Sequence, residues 1–287
     1  MTDHPVSARH WGERLGLAVL FGTIGLLIMT VFSPWQPTLP RVADYLGRVG
    51  LILVLLILTG VVRKSARYGL YWRVLVGLLI MAIAVSLDWV FARFLIDFLG
   101  VTGETPAGIA LLKLNECAVI VIVTVLGTRM SGENLGSLYI QRGRLRLGLT
   151  IGLIAFAVAA AGAVPMAGLM FYGQDLTVAR IAPWIPWVLI FVLANATMEE
   201  LLFRGLFLHR LERHYGKAIA NFLIAFVFTG LHAVVNYTPD RVLFLAVLFP
   251  LALAWGYITQ KTEGSWGSIL FHAGMDIPIV LGLFSNP

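Results

Sequence analysis

Long apolar runs, broken by short clusters of arginine, aspartate and proline, set the pattern of this chain from end to end. Most runs approach or exceed the ~20 residues a helix needs to cross a hydrocarbon core ~30 Å thick. They do not alternate apolar with polar residues, as the strands of a membrane barrel would. The pattern predicts an all-α, polytopic transmembrane bundle with about nine spans. These lie near residues 15–33, 42–62, 73–96, 106–127, 147–171, 183–208, 218–237, 241–260 and 265–284, and number eight if one of the shorter runs does not cross. The longest polar connection, 127–146, divides an N-terminal set of helices (1–144) from a second half (145–287). We expect the two to form one integral membrane unit, since no internal repeat or low-complexity tract is evident.

Composition agrees with that class: 59% of residues are hydrophobic and 13% charged, with a mean hydropathy of +0.87. Arg9 and Arg14 precede the first run without a small-residue cleavage pattern, which reads as a retained span rather than a removed signal. Charge then orients the bundle, because basic loops favour the cytoplasmic side. Connections holding Arg63, Lys64, Arg67 and Arg73, then Arg129, Arg142, Arg144 and Arg146, then Arg210, Arg213 and Lys217 alternate with loops carrying Asp97 and Glu104 or Asp175 and Arg180. The alternation predicts a cytoplasmic N-terminus, most simply in the cytoplasmic membrane of a prokaryote. Arg41 and Arg48 in the first outer connection run against it. The net charge of +6 reads as loop arginines facing anionic lipid, and no basic run interleaved with aromatics suggests nucleic acid. A single cysteine, Cys117, rules out an intrachain disulfide framework and any multi-cysteine metal site.

Against this background the ionisable residues inside the runs stand out, since a charge at the centre of a span costs roughly 2.5 to 3.5 kcal/mol on insertion scales. The sixth run holds Glu199, Glu200 and Arg204. Helical geometry puts Glu200 and Arg204 on one face and turns Glu199 about 100° away. A buried arginine would hold Glu200 ionised and oriented, leaving Glu199 as the candidate general base. Asn195, four residues earlier, reads as an interhelical hydrogen-bonding residue outside the catalytic set. The seventh run aligns Phe228 with His232. The ninth aligns His272 with Asp276, beside a Pro278 that removes a helix hydrogen bond. Counted at ~1.5 Å per residue from the expected cytoplasmic ends, Glu199 lies ~14 Å deep, His232 ~21 Å and His272 ~10 Å, so all three can meet.

Singly, each feature has a plain structural reading: an ion pair, or a histidine bridging helices. Together, two acids, an arginine, two histidines and an aspartate on three helices favour a site. Lys113, Glu116 and Asp88 read instead as structural pairing, and Trp89, Trp184 and Trp187, near span ends, as interfacial anchors.

Glu-Glu-x-x-x-Arg (Glu199, Glu200, Arg204), Phe-x-x-x-His (Phe228, His232) and His-x-x-x-Asn/Asp (His272, Asp276), in that order on separate apolar segments, resemble the CPBP or Abi family, which includes the type II CAAX prenyl endopeptidases. The resemblance covers about residues 145–284. It implies that Glu199 and His232 activate water, that Glu200 and Arg204 support them, and that His272 with residue 276 stabilises an oxyanion. Asparagine is the commoner residue at that last position. An ionised Asp276 cannot donate to an oxyanion, so it must be protonated, orient His272 or serve otherwise. Glu199, His232 and His272 are also candidate ligands of a three-ligand zinc site, while a metal-free glutamate mechanism needs none; the latter is favoured here. The implied function is an intramembrane endopeptidase acting on a membrane-embedded or lipidated peptide, prenylated peptides included. Two other classes are a non-catalytic membrane adaptor or bacteriocin-immunity protein, and a proton-coupled transporter, which the absence of repeated halves disfavours.

Overall fold

The computed structural model describes residues 8–33 and 38–286. The Arg9 side chain, read above as part of the basic flank of the first span, lies outside the described set, as do residues 34–37 of the first connection. Every described element is helical: α1 (Ala8–Leu26), α2 (Arg41–Lys64), α3 (Trp72–Phe91), α4 (Phe94–Leu99), α5 (Pro106–Met130), α6 (Leu145–Ala161), α7 (Ala163–Met170), α8 (Val178–Ile181), α9 (Ile185–Glu200), α10 (His209–Leu231), α11 (Arg241–Thr262) and α12 (Trp266–Ser285). π-helical turns follow α1, at Leu27–Val31, and α9, at Leu201–Leu208.

Local chemistry sets several boundaries. Thr105 accepts a hydrogen bond from the Gly108 amide and Pro106 occupies the first turn of α5, where a missing N–H costs nothing. Asp240 caps α11 by accepting from the Leu243 amide at 2.9 Å. Glu263 closes that helix in a left-handed conformation at φ 55°.

Burial is inverted relative to a protein folded in water. On α2, Leu46, Val49, Leu53, Val54, Leu56, Ile57 and Val61 face outward, while Arg48, Glu200, Arg204 and Arg210 are buried. An outer surface of aliphatic side chains is stable only against hydrocarbon. Seven described segments are long and apolar enough to cross a membrane, or eight if the bent pair α6–α7 is one span. One of the seven is the 57-residue run Val178–Val234. A straight helix would hold Phe203 and Phe228 roughly 37 Å apart at 1.5 Å per residue, yet their ring centroids are 5.1 Å apart. The chain therefore doubles back at Gly216, which has φ 76° and ψ 171°, and the run supplies two antiparallel legs.

Three expectations need correction. The 147–171 span is broken between α6 and α7 by a 63° bend. Arg48 is not a loop charge: it lies inside α2, buried, with Nε donating to Asp44 Oδ2 at 2.8 Å and its guanidinium 5.1 Å from the Trp89 ring. That pairing neutralises it, so it does not offset the loop asymmetry. Arg210, read as a loop arginine facing lipid, is also buried and ion-paired with Glu133. Trp89 itself packs edge-on against Tyr45 at 4.5 Å.

Close helix contact fixes the second half. A Cβ on Gly267 of α12 would stand 2.7 Å from the Gly148 carbonyl oxygen of α6, and one on Gly152 would stand 2.8 Å from the Gly267 carbonyl oxygen. Small residues at this crossing let the two backbones touch, and so set the height and rotation of α12.

Candidate active site

Glu199 and Glu200 are the last two residues of α9, and the backbone widens into π-helical turns immediately after them. Such turns shift the direction of side chains within one helix and recur at functional sites. The two carboxylates here have separate surroundings. Glu200 is fully buried and accepts from Arg204 Nη1 at 2.9 Å. Arg204 also donates through Nη2 to the Ala252 carbonyl of α11 at 3.0 Å, and its guanidinium lies 4.6 Å from the Phe228 ring and 5.4 Å from the Trp255 ring. The i, i+4 pairing read from the sequence is therefore present despite the π-helical turns. Glu199 faces the other way and lines a cavity of 610 Å³.

His272 joins the two acids. Its Nδ1 is 2.9 Å from Glu200 Oε1 and its Nε2 is 3.4 Å from Glu199 Oε2. A carboxylate oxygen accepts, so Nδ1 carries a proton and Nε2 is directed toward the cavity. Asp276, one turn along α12, is 3.7 Å from the same Nε2. Asn195 of α9 donates its amide to the other Asp276 oxygen at 3.0 Å. Trp255 stacks on the His272 ring, with centroids 3.9 Å apart and planes 9° from parallel.

His232 sits at the C-terminal end of α10 and lines the same cavity. Its Nδ1 is 2.7 Å from the Phe228 carbonyl. Because a carbonyl only accepts, this contact assigns the proton to Nδ1 and leaves Nε2 as an acceptor. Five of the six residues singled out from the sequence are linked by hydrogen bonds or by oppositely charged atoms within 4 Å: Glu199, Glu200, Arg204, His272 and Asp276. The sixth, His232, shares their cavity without a hydrogen bond to them among the described residues.

Two partners escaped the sequence reading. Asn195 was set aside, although its hydrogen bond is interhelical as expected. Trp255 was not singled out; its place well inside the 241–260 run, away from the interfaces where amphipathic rings collect, was the available signal.

Segment 181–278 matches a family model described as type II CAAX prenyl endopeptidase Rce1-like. The match supports the CPBP/CAAX protease family for that segment. It covers about a third of the chain and contains all six residues above. No curated protein and no solved structure matches the chain. The family is one of membrane proteases, and the apolar helices suit an integral membrane protein.

The sequence also offered Glu199, His232 and His272 as ligands of a three-ligand zinc site. No group of three His, Cys, Asp or Glu side chains among the described residues is arranged to hold a metal ion. Each histidine donates through Nδ1, His272 to Glu200 and His232 to the Phe228 carbonyl, so Nε2 is the ring nitrogen that either could offer.

Proposed function

We propose that the protein is an intramembrane endopeptidase in which Glu199 activates water, and that it cleaves membrane-associated peptides within the 610 Å³ cavity. The observation that carries this reading is the placement of the Glu199 carboxylate on the cavity wall, 3.4 Å from a histidine whose far nitrogen is anchored to a buried Glu200–Arg204 pair. A base at a cavity needs an oriented neighbour, and this network supplies one.

Water held between Glu199 and the acceptor nitrogen of His232 attacks the scissile carbonyl carbon while its proton passes to Glu199. The carbonyl π electrons move to oxygen, and the oxyanion is met by the Nε2–H of His272, an imidazolium whose other proton, on Nδ1, is held by Glu200. Asp276 holds that imidazole in place rather than donating to the oxyanion, because its own oxygens accept from Asn195 and face Nε2. Collapse of the tetrahedral intermediate expels the amine, which takes the proton from Glu199. The apolar parts of the wall, including Met166, Met170, Phe171, Leu251 and Ile279, suit a lipid-embedded or lipidated chain.

The test is cleavage of a panel of prenylated and unmodified membrane peptides by protein purified into liposomes, with products assigned by mass. New C-termini at one internal bond support the proposal. Intact peptides across the panel, with folded protein, oppose it. Chelator treatment leaves cleavage unchanged on this mechanism; loss that zinc restores would contradict it.

A further inference from the structure

The cavity wall facing the catalytic network is built from the N-terminal half, outside the family-matched segment, and it carries charge. Asp88, near the end of α3, lines the cavity and is 2% exposed, and its Oδ1 has no hydrogen-bond partner. Lys113 and Glu116 of α5 line the same wall and pair with each other at 2.6 Å. Lys113 and Arg48 of α2 both lie within electrostatic reach of Asp88, but Lys113 is paired with Glu116, and Arg48 donates through Nε to Asp44 at 2.8 Å and through Nη2 to the Ser33 carbonyl, its Nη1 making no hydrogen bond among the described residues. Lys113 is also within reach of Glu199 and Asp276, which places the wall beside the catalytic carboxylates.

These groups do not balance. Among the described residues, the cavity lining holds the carboxyls of Asp88, Glu116, Glu199 and Asp276 against the ammonium of Lys113 and, on the mechanism above, the imidazolium of His272. A buried carboxylate oxygen without a donor is a costly feature, tolerated where an arriving group completes it. Among groups a peptide offers, an ammonium or guanidinium donates several hydrogen bonds and cancels the excess charge.

We propose that Asp88 forms a subsite that receives a basic side chain, lysine or arginine, of the substrate peptide, and so selects peptides carrying a cation close to the cleaved bond. The inference rests on reading the cavity as the substrate site. It assigns Asp88 a role in selection, not in the chemical step.

Binding tests it separately from cleavage. The Glu199→Gln protein in liposomes is titrated with fluorescent membrane peptides of one sequence, carrying lysine or its uncharged isostere norleucine at successive positions. At one position the lysine peptide is expected to bind at least about tenfold tighter. Adding Asp88→Asn should collapse that ratio toward one, and Asp88→Glu should retain most of it. Equal binding of the two peptides at every position, or an unchanged ratio in Asp88→Asn, would overturn the proposal. Lysine selectivity with no cleavage by the wild type would uphold the subsite while sinking the protease reading. Cleavage with no lysine selectivity would do the reverse.

Discussion

Trp255 and His272 lie face to face, 3.9 Å between ring centroids and 9° from parallel, and so join α11 to α12 at the centre of the site. His272 is held by hydrogen bonding along its edge, and among the described residues only Trp255 stacks parallel to its plane. Catalysis that depends on the direction of Nε2 is then sensitive to a residue that bonds to none of the reacting groups. Trp255→Phe should lower kcat by on the order of tenfold, and Trp255→Ala by on the order of a hundredfold, with KM changing little. Trp255→Ala should also cost about 3 to 5 kcal/mol of stability, so the phenylalanine variant carries the kinetic test. Steady-state kinetics on any cleaved peptide separate the two parameters.

Arg204 and Glu200 are both fully buried and bonded to each other. Removing either partner leaves an uncompensated charge, so Arg204→Met and Glu200→Gln should each destabilise by about 3 to 5 kcal/mol. The double variant should cost less than the sum of the two. Thermal unfolding in detergent micelles, followed by tryptophan fluorescence, reads the three values. Additive losses would show that the pair is not coupled.

At Asp276 the geometry favours orientation over donation, since Asn195 already donates to it. Asp276→Asn should keep cleavage within about tenfold of wild type, because an amide oxygen can still face His272. Asp276→Leu should lose at least about a hundredfold. Equal loss in both variants would mean that the negative charge itself is required. The comparison is of kcat/KM on one peptide.

The α6–α12 crossing makes a prediction about packing. Gly267→Ala places a methyl 2.7 Å from the Gly148 carbonyl oxygen. Overpacking of this kind typically costs 1 to 3 kcal/mol, and here it also displaces the helix that bears His272 and Asp276. Both the unfolding midpoint and the turnover number should fall. Gly22→Ala, where an added Cβ meets nothing within 4 Å, is the control and should leave both unchanged.

What the sequence made visible was what repeats along one helix. Glu200 with Arg204, His272 with Asp276, and Phe228 with His232 are each four residues apart, and all three relationships appear in the structure. The apolar runs likewise gave the helical bundle. Hidden were contacts between helices and departures from regular helix. Trp255 reaches His272 across a helix boundary. The π-helical turns after Glu200 follow no local period, and the bend between α6 and α7, at Gly162 with Pro165 three residues on, is a local break that a hydropathy run averages away. Arg48 and Arg210 looked like loop charges because hydropathy averages a residue with its neighbours, whereas their burial depends on one acid apiece, Asp44 and Glu133.

The most direct measurement of the central claim is cleavage of a membrane peptide in liposomes by wild type and by Glu199→Gln prepared in parallel. Glutamine keeps the size of the side chain and cannot take a proton from water. The mechanism predicts that cleavage falls by at least about a thousandfold while the unfolding midpoint stays within a few degrees of wild type. Equal cleavage by the two proteins would contradict the assignment of Glu199 as the base.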